Sequence, residues 1–132
     1  MTRLAIDAEV ALRLIIEGRP IGEGHTLVGA ASLRSLVSAE LYRRVRAGEL
    51  ETRAGRELLE RVAELRIRLL GDRGSRAMAW KLASELGRDE IGPIETLAVA
   101  VLQADALVTD DPGLVAAAEG RVPLAGYDAL FG

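Results

Sequence analysis

A chain of 132 residues is long enough for one hydrophobic core and too short for two ordinary domains, so a single domain over 1–132 is expected. Hydrophobic residues make up 49% of it and charged residues 28%, a balance that excludes a disordered chain, and its apolar runs are too short and too broken by charge for a membrane span. The net charge of −3 argues against a large sequence-independent nucleic-acid surface, which needs clustered Lys and Arg, but not against a nuclease, whose centre must itself be acidic.

With no cysteine there is neither a disulfide framework nor a thiolate metal site. Met1 runs straight into Leu4-Ala5-Ile6-Asp7, which leaves no room for a signal peptide, and the cytoplasm is the expected location. Lys81 is the only lysine. Arginine suits planar phosphate recognition, although a GC-rich genome gives the same bias.

The first element is Arg3-Leu4-Ala5-Ile6, a short apolar run that reads as a buried strand ending at Asp7. A helix follows, with Val10 and Leu14 on one face, and stops at Gly18 before Pro20. Ile21 to Gly29 is Gly-rich and reads as a loop. From Ala30 to Ala47, the spacing of Leu33, Leu36, Val37, Leu41 and Val45 predicts an amphipathic helix. A second spans Thr52 to Leu70, with Leu58, Leu59, Val62, Leu65 and Leu69 inward, and a third spans Ser75 to Leu86. Pro93 opens another helix, through Gln103. Ala106-Leu107-Val108-Thr109 is the second clear strand and ends at Asp110-Asp111-Pro112. A short helix, Gly113 to Ala118, leads to a last strand at Val122-Pro123-Leu124.

Short apolar strands alternating with longer helices predict a three-layer α/β/α fold around a parallel sheet of about four to five strands. In such sheets ligands bind beyond the carboxyl ends of the strands. Asp7 and the Asp110-Asp111 pair each follow a strand, so adjacent parallel strands would bring these carboxylates together at one edge. Gathered carboxylates need neutralising, and a hard divalent cation is the usual partner. Such an ion activates water and stabilises the oxyanions of a phosphodiester displacement. An Asp after a strand is equally a helix cap, and on position alone Asp7 and Asp111 read as either.

Leu4-Ala5-Ile6-Asp7-Ala8 is similar to the first motif of the PIN family, and Leu97 to Ala100 leading into Thr109-Asp110-Asp111 is similar to its last. Between them, Leu33 to Val37 through Tyr42-Arg43-Arg44 and Arg46 to Leu50 resembles the second helix of VapC-type members. The resemblance implies a PIN-like fold and a metal-dependent endoribonuclease of the toxin–antitoxin kind, using Mg2+ or Mn2+. It implies an RNA substrate, a homodimer, and neutralisation by a small antitoxin covering the site. Asp7 carries over as the first metal ligand and Asp111 as the last. The family's two middle acidic positions fall on Leu36 and Pro93. Glu40, one helical turn after Leu36, and Glu95, two residues after Pro93, are the candidate replacements, with Glu95 also a metal-ligand candidate. Glu40 reads equally as an exposed charge on an Arg-rich helix, and Glu95 as a first-turn carboxylate favoured by the helix dipole. The altered positions leave a second reading open, a PIN-fold module that binds RNA or protein without turnover.

His25 is the only histidine and reads as part of a loop, with nothing near it in sequence to form a Ser-His-Asp triad. Trp80, within Ala79-Trp80-Lys81-Leu82, reads as core. Arg43, Arg44 and Arg46, and the cluster Arg66, Arg68, Arg73 and Arg76, suit either an RNA groove or a solvated face. A receiver-like signalling domain also gathers acids at strand ends, but it needs a lysine near its last strand, and Lys81 falls inside a predicted helix.

Overall fold

The structure is a computed structural model that describes residues 1–132. Strand β1 (Thr2–Ile6) carries Leu4 and Ile6 toward one face and Ala5 toward the other, all buried. Asp7 ends the strand and starts helix α1 (Ala8–Glu17): its Oδ1 accepts the Val10 N–H at 2.9 Å, satisfying one of the helix's free amides. Gly18, at φ 64°, closes the helix with a left-handed turn that a side chain would strain.

The Gly-rich stretch is not all loop. His25–Ala30 forms β2, the strand beside β1, with Leu27, Val28 and Ala30 buried. Glycine weakens the strand signal in sequence, yet here Gly29 serves packing: a Cβ on it would lie 2.9 Å from Leu33 Cδ1 and 3.0 Å from Ile67 Cδ1. His25 therefore belongs to a strand, and the next helix, α2 (Leu33–Arg46), begins later than its periodicity suggests.

Helix α3 (Thr52–Glu64) stops short of Leu70, because Arg68–Leu70 forms an edge strand, β3. Residues Ile67 and Leu69 pack into the core while Arg68 is exposed, a period-2 alternation that follows the helical pattern without a break. Asp72 caps α4 (Arg73–Glu85). On that helix Ala79, Leu82 and Ala83 face inward, which leaves Trp80 on the outside, 72% exposed rather than core. Leu36 and Leu59 are likewise outward, because the buried stripe of α2 is Leu33, Val37 and Leu41, and that of α3 centres on Gly55 and Val62.

A 3-10 turn (Gly92–Ile94) holding Pro93 leads into α5 (Glu95–Gln103). The chain then forms β4 (Ala106–Val108), α6 (Pro112–Ala118) and β5 (Leu124–Ala125), and ends in a 3-10 turn (Tyr127–Leu130).

The five strands are all parallel, in the order β3-β2-β1-β4-β5. Leu4 pairs with Leu27 on one side and Ala106 on the other, and Ile6 with Val108. One core, with Leu4, Ile6, Leu27 and Val108, lies under α1, α2 and α3. The other, with Ala5, Val28, Ala30 and Leu107, lies under α4, α5 and α6. This is the expected three-layer α/β/α architecture. No helix is long and apolar enough to cross a membrane.

Candidate functional site

From β1 the chain winds outward through β2 to β3, then crosses to β4 and β5 on the other side. The strand order reverses between β1 and β4, and in an open parallel sheet the crevice at that reversal, at the carboxyl ends of the strands, is where ligands sit. Asp7 follows β1 and Thr109-Asp110-Asp111 follows β4, so topology alone puts them there.

The Thr109 hydroxyl joins the two aspartates. It donates to Asp7 Oδ2 and accepts the Asp111 N–H at 3.1 Å. Asp7 is only 8% exposed, and with the Val10 amide on Oδ1 both of its oxygens are satisfied, which makes its burial tolerable. Asp111 is exposed; its Oδ2 accepts the Leu114 N–H at 2.9 Å and caps α6, and its other oxygen is uncommitted. Each aspartate is thus a helix cap and a member of one hydrogen-bonded network.

Arg88, in the loop after α4, donates to the Gly113 carbonyl at 3.2 Å. The side-chain position on Gly113 would lie 3.1 Å from Asp111 Oδ2 and 3.5 Å from Arg88 Nη2, so the guanidinium and the carboxylate flank the same glycine. Glycine here keeps the approach between them open. Neither Thr109 nor Arg88 is among the site residues expected from the sequence. The Thr-x-Asp spacing carries a signal for Thr109, but nothing in the loop composition marks Arg88.

The middle acidic candidates are placed differently. Glu95 is half-buried at the start of α5, and because α5 leads back to the start of β4, that helix end lies at the acidic edge. Glu40 lies seven residues into α2 (40 − 33), roughly 10 Å along the axis from the helix start. There it accepts hydrogen bonds from Arg43 at 2.8 and 3.0 Å and from Arg44 at 3.1 Å. Those hydrogen bonds, Arg43 first and then Arg44, hold its carboxyl well below the usual range, at about 2. Leu36, nearer the edge on the same helix, is 54% exposed, and Pro93 is exposed as well. No three His, Cys, Asp or Glu side chains come together in a group that could hold a metal ion. The network therefore joins Asp7 and Asp111, without Glu40 or Glu95 added to it.

The donor set still fits one kind of ion. Mg2+ and Mn2+ are hard cations, and Mg2+ in particular binds through one or two carboxylates while keeping several waters. Two aspartates, one with an uncommitted oxygen, meet that requirement at its lower limit.

Comparison with solved structures bears on the fold. A chain in the crystal structure of VapBC2 from Rickettsia felis bound to a DNA fragment from their promoter matches with a TM-score of 0.60, over 94% of this chain and 98% of that one. The fold is of the PIN type. Sequence identity is 14%, so the likeness carries the fold alone. No family model matches the chain, and no curated protein matches it by sequence.

Proposed function

We propose that the chain is a metal-dependent endoribonuclease of the VapC kind, working from a two-carboxylate centre. The reading rests chiefly on the network at the strand-order reversal, where Thr109 links Asp7 to the backbone of Asp111. Asp7 and Asp111 would hold Mg2+ or Mn2+, which when bound supplies a Lewis acid for hydrolysis of an RNA phosphodiester. Thr109 fixes the orientation of the Asp7 carboxylate through its hydroxyl. Arg88, held by the Gly113 carbonyl, offers a planar cation beside Asp111 for an incoming phosphate. Glu95 would orient water at the edge. Glu40 could join only by exchanging its arginine partners, since Arg43 and Arg44 occupy both of its oxygens. The fold likeness to a chain of a VapBC complex supports a small antitoxin as partner, and the same reading expects that antitoxin to cover the acidic edge of a homodimer.

Cleavage of an RNA pool in Mg2+ or Mn2+, compared between the wild-type chain and Asp7→Asn, tests this. Asn keeps an oxygen for the Val10 amide, so α1 retains its cap. Loss of cleavage with an unchanged circular dichroism spectrum is expected; cleavage at the wild-type rate in the variant would sink the assignment.

A second reading is favoured by specific observations: Leu36 and Pro93 stand at the usual acidic positions, and Glu40 is held by arginines. In that reading the fold binds RNA or a protein partner without turnover. Wild-type protein that binds RNA but leaves it intact in either metal ion would favour it.

A further inference from the structure

At the opposite, amino-terminal edge of the sheet lies a cavity of about 950 Å³, between the ends of α1 and α3 and the starts of β1, β2 and β3. Its floor is apolar, formed by Leu14, Ile15, Leu27, Leu65 and Ile67. Five arginines line it against two glutamates, Glu23 and Glu64, a local excess of positive charge in a chain whose net charge is −3.

The fold accounts for two of those arginines. Arg61 donates to the Ile15 carbonyl at 3.1 Å, and Arg19 stacks 3.7 Å over the Phe131 ring. The other three, Arg3, Arg66 and Arg68, take part in none of the protein's ion pairs, and their guanidinium groups make no hydrogen bond within the chain. The ends of α1 and α3 bring negative dipole ends to this edge, which would repel an anion. Arg61 covers the first, and Arg34 covers the second by donating to the Val62 and Leu65 carbonyls at 3.2 and 2.9 Å.

His25 adds an independent observation. Both of its ring nitrogens are buried and have no hydrogen-bond partner. A buried donor and acceptor left unpaired is costly, and native structures rarely tolerate it without a ligand or ordered solvent. Gly22 packs on the ring, since a Cβ there would lie 2.9 Å from His25 Cδ2, so the neighbouring loop holds the imidazole in place.

We propose that this cavity binds a mononucleotide, with the base on the apolar floor, the phosphate on Arg3, Arg66 and Arg68, and a polar edge of the base or ribose on His25, whose covered nitrogens are reached once the Gly22 loop moves off the ring. The volume falls within the range of small-molecule sites, roughly 300–1,000 Å³. An imidazole that offers one donor and one acceptor suits a base edge, which presents both. Arginine suits the phosphate, because its planar fork matches two oxygens.

The test is isothermal titration of AMP, adenosine and inorganic phosphate, each separately, into the full chain, into Arg66→Ala/Arg68→Ala and into Asp7→Asn. Both arginines are exposed and their side chains enter no ion pair within the chain, so the double variant should keep its fold. AMP should bind the wild-type chain at least about tenfold more tightly than either adenosine or phosphate. The double variant should lose at least about tenfold in AMP affinity, while Asp7→Asn, at the other end of the sheet, should bind AMP unchanged. Absence of AMP binding, equal binding by the double variant, or phosphate binding as tightly as AMP would overturn the proposal. So would binding of an oligoribonucleotide by a chain that ignores AMP.

Discussion

Thr109 is the residue on which the acidic centre turns. Its hydroxyl is the donor to Asp7 Oδ2 and the acceptor of the Asp111 amide, so one atom sets the relation between the two aspartates. Thr109→Val keeps the shape and removes that atom. A buried carboxylate oxygen and a backbone amide each lose a partner, at a cost of about 1–3 kcal/mol by urea denaturation, whereas Thr109→Ser should stay close to wild type. A Val variant as stable as the wild type would show that the hydroxyl does not hold the centre. Glu40 makes a separate prediction. Its carboxyl is lowered from 4.5 to about 2 in the folded chain, so it stays charged where the unfolded chain has already taken up the proton. Its stabilising contribution is therefore complete above about pH 4.5 and is lost as the pH falls toward 2. Glu40→Gln should flatten the dependence of Tm on pH in that window. The pairs with Arg43 and Arg44 are partly open to water, so the effect should be small and should shrink as salt is added.

Among the elements, the helices and the two most apolar strands are legible in the sequence, and β2 and β3 are not. β1 and β4 present short apolar runs that end in Asp or Thr, and α1, α4, α5 and α6 carry caps or periodic apolar faces. β2 hides behind Gly22, Gly24 and Gly29, and β3 hides because Leu65 and Leu69 extend the inward pattern of α3 by chance. Periodicity records which positions are buried and not the element that buries them, so a three-residue edge strand joined to a helix reads as more helix. Once β2 and β3 are seen, their pairing makes its own demand. Beyond the last ladder position, the Ala31 amide donates to the Leu70 carbonyl at 3.0 Å, and a Cβ on Gly71 would lie 2.6 Å from the Ala31 Cβ. A Cβ cannot rotate away, so the backbones would have to part. Gly71→Ala should cost about 1–3 kcal/mol in equilibrium unfolding. A neutral substitution would mean that this end of the sheet opens at little cost.

For the molecule as a whole, the candidate site follows from the reversal of strand order. A chain that winds β1-β2-β3 one way and β4-β5 the other leaves a crevice between β1 and β4, and the residues that follow those two strands fall into it. That is why Asp7 and Asp111 could be brought together from strand ends alone, and why Glu40 could not be placed there with them. A helix position depends on where its helix starts and which way it is rotated, and α2 starts later than its periodicity suggests. The central claim is that two carboxylates at the reversal hold a divalent cation. Isothermal titration of Mn2+ into the wild-type chain and into Asp7→Asn/Asp111→Asn tests it most directly, with folding checked by circular dichroism. Binding in the wild type that disappears in the double variant is the predicted result. Equal binding in both chains, or a folded wild-type chain that takes up no Mn2+, would contradict it.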